Sequence, residues 1–143
     1  MTSFEAQTDI NATPERIWAI FIDGARYPTW DSGVLSVEGR VAPGETIKVV
    51  SAANPGRTFP VKVTSFQPNE SMTWSGGLPL GLFRGVRTFT LTRAADTTTF
   101  QMREAYSGPL SSMMTRSIPD LGPSFAQFAA GLKERAEQPT VNP

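Results

Sequence analysis

Apolar and polar residues alternate along two neighbouring segments, 83–93 and 97–107. A period of two predicts strands with one buried face and one solvated face. The solvated faces are rich in threonine. The buried faces are apolar except for one charge each, and they carry Phe83, Gly85, Arg87, Phe89 and Leu91 on the first strand and Phe100, Met102, Glu104 and Tyr106 on the second.

The two segments predict a long β-hairpin. If residues 94–97 form its loop, Arg93 faces Thr98 and Arg87 faces Glu104. Replacing a buried ion pair by apolar residues is often neutral or stabilising, so stability alone rarely explains such a pair. We therefore interpret Arg87 and Glu104 as the polar floor of an internal, ligand-sized cavity. A purely structural ion pair is the alternative, and a register slip of two residues would separate the charges while keeping both inward.

The rest of the chain predicts strands first and a long helix last. Residues 3–10 alternate as a half-buried strand, and Thr13 and Pro14 suit the N-cap and first position of a helix. The segment 25–33 supports only a short helix, and we place its Tyr27 and Trp30 at a cavity mouth. Further strands are predicted at 34–39, 46–52, 58–66 and 71–76, separated by turns rich in Pro, Gly and Asn.

Helical spacing returns near the C-terminus. One apolar stripe is formed there by Phe125, Phe128, Ala129, Leu132 and Ala136. Pro119 and the pair Gly122-Pro123 predict a break before this helix, and 109–116 a separate short helix or loop. The tail 138–143 should fray.

Composition limits the functions that this chain could have. Its 143 residues fit one domain over 1–143, and 13 basic residues balance 13 acidic ones, which argues against nucleic-acid binding. No apolar stretch is long enough to span a bilayer, and the N-terminus is unlike a signal peptide, so a cytoplasmic protein is expected. Cysteine and histidine are absent, which removes the usual general base and metal ligands; we expect no metal and no cofactor.

Strands in succession followed by a helix predict an α+β fold, in which a curved, seven-stranded antiparallel sheet packs around a long C-terminal helix. The sequence resembles the START-like or Bet v 1-like (SRPBCC) superfamily with the helix-grip fold, in its polyketide cyclase/dehydrase and lipid transport branch. The resemblance covers nearly the whole chain. It is carried by TPERIWAIFID, YPTWDSGV, FRGVRTFTL, TTFQMREAYSG and FAQFAAGLKERAE after an opening strand.

The resemblance implies a hydrophobic cavity between sheet and helix that binds lipids, hormones, polyketides or other aromatic molecules. It also implies two short N-terminal helices. The chain departs from the family where several relatives have a histidine at the position of Arg87, and where Pro119 and Pro123 interrupt a helix that is commonly continuous. Both departures argue against transferring a catalytic mechanism.

The candidate ligand-binding residues combine the charged pair with aromatic and methionine side chains. Tyr106 could donate a phenolic hydrogen bond to a ligand, Trp74 could form a flat wall and Trp30 a lid. Each apolar candidate also fits an ordinary core position. The full set is Trp30, Trp74, Phe83, Arg87, Phe89, Met102, Glu104, Tyr106, Met113, Phe125 and Phe128.

Three functions follow from these patterns. The first is binding or transport of a small hydrophobic or aromatic molecule, whose polar end meets Arg87, Glu104 and Tyr106. The second is a cyclase or dehydratase in which Glu104 removes a proton and Arg87 or Tyr106 stabilises the oxyanion. The third is a protein-interaction module whose exposed flap, Leu78 to Phe83, contacts a partner. This flap lies in the glycine-rich segment 76–85, whose leucines could also gate the cavity or form a homodimer contact.

Overall fold

The fold was analysed in a computed structural model that describes residues 3–52, 55–116 and 121–138. Pro119, Asn54 and residues 139–143 of the predicted tail lie outside them. Within the described residues the chain forms seven strands and three α-helices. The strands are β1 (Ser3–Ile10), β2 (Val34–Glu38), β3 (Thr46–Ser51), β4 (Phe59–Gln67), β5 (Ser71–Leu78), β6 (Phe83–Ala94) and β7 (Thr97–Ser107). The helices are α1 (Pro14–Phe21), α2 (Ser111–Thr115) and α3 (Gly122–Glu137), and short 3₁₀ segments cover Gly24–Thr29 and Pro79–Gly81.

All seven strands join one antiparallel sheet in the order β1-β7-β6-β5-β4-β3-β2. Strands β2 to β7 form the predicted meander, and β1 adds to its edge beside β7. Pairing shifts interrupt the β2–β3 and β4–β5 ladders, the second one close to Ser65. Irregularities of this kind bend a strand and increase its twist, which suits a curved sheet. The α+β helix-grip architecture predicted from the sequence is confirmed.

The β6–β7 hairpin has the predicted register. Arg93 pairs with Thr98 and Arg87 with Glu104, although the loop is shorter than expected because Ala94 and Thr97 also pair. Shortening the loop by one residue on each side leaves the register unchanged. Strand β5 is longer than predicted and reaches Leu78, so much of the predicted flap belongs to the β5–β6 hairpin.

Helix α1 begins where its capping residues predict. The Thr13 hydroxyl accepts a hydrogen bond from the Arg16 amide at 3.2 Å, and Pro14 occupies the first turn of α1. Pro123 likewise lies in the first turn of α3, where its missing N–H breaks no helical hydrogen bond. The predicted stripe of α3 is buried throughout.

The core lies between the sheet and helices α1 and α3. Both helices present apolar faces to the sheet, and the 3₁₀ segment closes one side. Burying each large side chain stabilises the fold by about 1.5–3 kcal/mol. The largest fully buried residues are Tyr27, Phe21, Phe89, Phe100, Phe125, Ile10, Ile17, Ile47, Met72, Met102, Leu132 and Val63. No helix within the described residues is long and apolar enough to cross a membrane.

Candidate functional site

A row of side chains crosses four adjacent strands on the inner face of the sheet. The register aligns Trp74 of β5 with Arg87 of β6, Arg87 with Glu104 of β7, and Glu104 with Phe4 of β1. The predicted charged pair therefore has an aromatic residue on each side. Its side chains are largely shielded, with 25 % of Arg87 and 14 % of Glu104 exposed.

Both carboxylate oxygens of Glu104 accept hydrogen bonds. Arg87 Nε donates to Oε1 at 3.1 Å, and the Tyr106 hydroxyl donates to Oε2. One guanidinium and one phenol thus satisfy the carboxylate in surroundings where an unpaired charge would be costly. The sequence placed all three residues on one face, and the structure joins them in one hydrogen-bonded cluster.

Tyr106 is held in place from three sides. The Phe83 ring stacks on it at a centroid distance of 5.6 Å, and Phe4 meets it edge to face at 6.2 Å. Gly85 stands opposite it in the ladder, where an added Cβ would lie 3.1 Å from a Tyr106 ring carbon. Burial, reinforced by the neighbouring Glu104 carboxylate, raises the pKa of Tyr106 well above its usual value. The phenol therefore remains a proton donor at any physiological pH.

The guanidinium of Arg87 has hydrogen-bond donors that Glu104 does not use. Its central carbon lies 4.6 Å from the centre of the Phe125 ring, in cation–π geometry. Nε is engaged by Glu104, whereas the two terminal nitrogens have no hydrogen-bond acceptor among the described residues. These nitrogens could bind a carbonyl, phenolate or carboxylate oxygen.

Trp74 contributes a second unused donor. Its side chain is buried, and its indole N–H has no acceptor among the described residues. A buried N–H without a protein partner costs free energy, so it commonly marks strain, a bound water or a ligand contact. Trp74 and Arg87 are direct neighbours across β5 and β6, so two donor groups occupy adjacent positions of one row.

Several predicted cavity-lining residues are packed against other aromatic rings. The Phe89 ring lies 4.5 Å from that of Phe21, and the Phe128 ring lies 5.3 Å from that of Trp30. Met102 is fully buried beside them on β7. These side chains fill the middle of the interior with packed rings.

Two of the predicted placements need correction. Tyr27 does not line a mouth: it is fully buried, and its hydroxyl donates to the Phe21 carbonyl. Met113 does not line the interior, because it is 58 % exposed on α2. Neither position could be inferred from alternation, since both residues follow turns in segments without clear periodicity.

Two shallow clefts lie outside the charged row. One, of about 600 Å³, runs between β1 and α3; the other, of about 290 Å³, is bordered by Trp30, Asp31 and Gly131. Trp30, predicted as a lid, thus borders a cleft beside α3 while packing on Tyr27 and Phe128. Among the described residues no three carboxylates come close enough together to hold a metal ion.

Sequence reasoning missed three contributions to this site. Phe4 belongs to the predicted half-buried strand 3–10, but its position beside Glu104 depends on β1 pairing with β7. Gly85 was read only as a member of the alternation, although it makes room for the Tyr106 ring. Trp74 was predicted as an apolar wall, and no sequence signal indicates that its N–H lacks an acceptor.

Comparison with known proteins shows the family to which this chain belongs. The model of the polyketide cyclase/dehydrase and lipid transport family matches residues 1–137. The chain therefore belongs to this family, as the sequence resemblance predicted. No curated protein sequence matches the chain significantly.

Solved structures confirm the fold. An Aha1 dimer from Colwellia psychrerythraea is 20 % identical with a TM-score of 0.73, covering 96 % of this chain and 97 % of that one. A hypothetical protein from Helicobacter pylori is 10 % identical with a TM-score of 0.76, covering 95 % and 88 %. A START superfamily protein from Mycobacterium smegmatis is 15 % identical with a TM-score of 0.67, covering 94 % and 97 %. At these identities the similarity establishes the fold alone.

Proposed function

We propose that this protein binds a small hydrophobic or aromatic molecule beside the Arg87–Glu104–Tyr106 cluster. The observation that carries the proposal is the pair of unused donors in one shielded row, the terminal nitrogens of Arg87 and the indole N–H of Trp74. A ligand oxygen placed there would accept from a charged donor, which is a strong interaction in a shielded site. Phe4, Phe83 and Phe125 offer ring surfaces for the apolar part of the ligand.

The charge of the cluster favours a particular kind of polar group. Arg87 and Glu104 compensate each other, and Tyr106 stays neutral, so the cluster has no net charge. A carbonyl or a phenol suits such a site best, because a carboxylate would bring one uncompensated charge and a phosphate would bring more. The family's description, which combines polyketide cyclase/dehydrase with lipid transport, is compatible with this ligand chemistry.

Binding fits the cluster better than catalysis by Glu104. A general base needs a free oxygen within reach of the substrate proton. Both oxygens of Glu104 already accept hydrogen bonds, from Arg87 and from Tyr106. Proton abstraction would therefore require one of these bonds to break first, while binding through Arg87 and Trp74 requires no such change.

The test measures binding of anilinonaphthalene sulfonate, an aromatic probe with one anionic group, by its fluorescence. Arg87→Met retains most of the aliphatic stem and removes the guanidinium, so we expect the affinity to fall roughly tenfold or more. Arg93→Met, the same change at the other end of β6, is the matched control and should leave the affinity unchanged. Arg87→Met leaves the Glu104 carboxylate without a cationic partner. The double variant Arg87→Met with Glu104→Gln is therefore measured as well, and its folding is checked by circular dichroism.

Equal affinity in wild type and in a folded double variant would disprove a ligand role for Arg87. A loss of probe binding in Leu80→Asp alone would instead assign the probe to exposed leucines on the surface. Native mass spectrometry of protein purified from its own host supplies a second readout, because a co-purifying small molecule would identify the ligand directly.

A further inference from the structure

The β5–β6 hairpin ends in apolar side chains that face solvent. Leu80 is 96 % exposed at the tip, and Leu78 and Leu82 on either side of it are also exposed. A residue exposed to this degree projects from the surface and makes almost no contribution to the fold. We call Leu78, Leu80 and Leu82 the hairpin tip.

Helix α2 extends the same surface. The Leu110 amide donates to the Leu82 carbonyl oxygen at 2.9 Å, which fixes the start of α2 beside the hairpin tip. Met113 on this helix is the next large exposed apolar side chain. Contiguous exposed apolar residues on a water-facing surface commonly mark a contact with another molecule or with a membrane.

Basic residues flank the hairpin tip and the two segments next to it. Arg84 follows it at the start of β6, and Arg116 follows α2; both are exposed. Arg57 precedes β4, and its guanidinium lies 5.1 Å from the centre of the Phe59 ring. The start of β4 lies at this end of the sheet, because an added Cβ on Gly76 would approach the Pro60 carbonyl within 2.9 Å.

The hairpin tip, α2 and the segment 55–60 at the start of β4 contain no acidic residue. None occurs between Glu45 and Glu70, between Glu70 and Asp96, or between Glu104 and Asp120. The chain as a whole is neutral, so its charges are distributed unevenly: the charged residues that directly flank the hairpin tip, α2 and the start of β4 are Arg84, Arg116 and Arg57. Exposed leucines framed by basic side chains are complementary to an interface that is apolar inside and anionic at its surface.

We propose that the hairpin tip docks this protein onto the surface of a bilayer that contains anionic phospholipids. The leucines enter the boundary between headgroups and acyl chains, and Arg57, Arg84 and Arg116 lie against the phosphates. The proposal goes beyond ligand binding and does not depend on it. A symmetric contact between two copies would bring identical basic residues together, so charge argues against self-association through this surface.

The experiment is co-sedimentation of the protein with vesicles at low ionic strength. Vesicles of equal parts phosphatidylcholine and phosphatidylglycerol should bind the protein, vesicles of pure phosphatidylcholine should bind it more weakly, and added salt should release it. Leu80→Asp should weaken binding roughly tenfold because a charge replaces the inserted side chain. Arg84→Glu should also weaken it roughly tenfold, since two units of favourable charge are lost.

Each variant has a matched control. Leu35→Asp makes the same change at an exposed leucine of β2, three strands away from β5, and Arg93→Glu makes the same charge reversal at the far end of β6. Both controls should bind vesicles as the wild type does. Circular dichroism and thermal midpoints verify that all four variants are folded, and the side chain of Leu80 is exposed enough that its loss should not affect stability.

Several results would overturn the proposal. The first is failure of the wild type to bind the anionic vesicles. The second is an equal loss of vesicle binding in the tip variants and in their controls, because binding would then follow net charge alone. If sedimentation velocity showed a dimer that Leu80→Asp dissolves, without vesicle binding, the hairpin tip would be a contact between copies. Capture of a protein partner without vesicle binding would likewise show that the hairpin tip binds a protein and not a membrane.

Discussion

Glu104 is the residue that organises the candidate site. It fixes Arg87 through one oxygen and Tyr106 through the other, so two side chains on different strands take defined positions. The arrangement also determines what remains for a ligand: the terminal nitrogens of Arg87, which lie above the Phe125 ring. A recognition group that is oriented in advance loses less entropy on binding, and this favours affinity.

The two tyrosines of the chain, Tyr27 and Tyr106, should resist ionisation in the folded protein. Burial is the main cause that raises the pKa of each above the usual value of 10.0. Spectrophotometric titration should therefore show no tyrosinate absorbance near pH 10 and a steep rise only when the protein unfolds. In the unfolded chain both phenols ionise near pH 10, so the free energy of unfolding should decrease as pH rises above that value.

Tyr106→Phe provides the comparison for this titration. Removing one phenol should reduce the alkaline dependence of stability, because one proton fewer is released on unfolding. A folded wild type in which half of the tyrosine ionises near pH 10 would show that Tyr106 is open to water, contrary to its position against Phe83 and Glu104.

The Arg87–Glu104 contact could be predicted because a hairpin is local. Alternation determined the face of each residue, and the position of the centre of the loop determined the register. Phe4 could not be placed beside the pair, since its position depends on which strand β1 joins. The fully buried Tyr27 could not be predicted either, because the 3₁₀ segment gives no period from which a face can be read.

At the level of elements, α3 and the segment after the 3₁₀ helix are in very close contact. A Cβ added to Gly131 would lie 1.9 Å from the carbonyl oxygen of Asp31. The Gln127 side chain, one turn earlier, donates to the Asp31 carboxylate at 2.7 Å. The glycine thus allows backbone to meet backbone, and this contact holds the segment with Trp30 against the helix.

Gly131→Ala should destabilise the protein by about 1–3 kcal/mol, because a backbone atom cannot move aside as a side chain could. The sign is informative, since glycine to alanine inside a helix is otherwise stabilising by about 1 kcal/mol. Gly56→Ala, at a position where an added Cβ meets no atom within 4 Å, is the control. Urea denaturation measures both variants, and a stabilised Gly131→Ala would show that the helix and the segment are farther apart.

The apolar stripe of α3 could be predicted from its spacing, whereas the role of Gly131 could not. Phe125, Phe128 and Leu132 recur at helical intervals, so the local sequence specifies which face of α3 is buried. The importance of Gly131 depends on Asp31, which is far away in the chain. Local patterns contain no information on such an approach.

Over the whole molecule, contacts between the start and the end of the chain hold α3 in place. Arg16 Nε donates to the Ala136 carbonyl at 2.6 Å, where a cation also opposes the negative end of the helix dipole. Lys133 donates to the Asp9 carbonyl at 2.8 Å, and the Asn11 amide donates to the Glu137 carboxylate at 2.8 Å. Strand β1 and its following turn are therefore bound to the last two turns of α3.

The packing of the interior depends on the whole molecule and could not be predicted from the sequence. Alternation assigned Trp74 and Phe89 to inward faces, helical spacing did the same for Phe128, and all three are buried. Whether inward aromatic residues line an empty space or pack on one another depends on how far apart sheet and helix stand, which no local pattern specifies. Here Phe21 of α1 fills the middle by contacting Phe89 and Phe128.

Glu137 should make the contact between α3 and the turn after β1 sensitive to acid. The hydrogen bond from Lys133, and then that from the Asn11 amide, lowers the pKa of Glu137 below its usual value of 4.5. The charged form thus stabilises the fold above pH 4.5, and this contribution is lost as pH falls through the lowered folded-state value. Glu137→Gln should therefore lower stability at neutral pH, by less than about 1 kcal/mol because the pair is partly exposed.

The difference between wild type and Glu137→Gln should vanish in acid, where the carboxyl group is protonated in both the folded and the unfolded chain. Glu134→Gln alters a carboxylate on the same helix and controls for the change in net charge. Thermal midpoints measured from neutral to acidic pH, at low and at high salt, test this expectation. A difference that persisted undiminished at the acid end would mean that Glu137 acts through its shape or its neutral hydrogen bonds, and that charge plays no part in fastening α3 to β1.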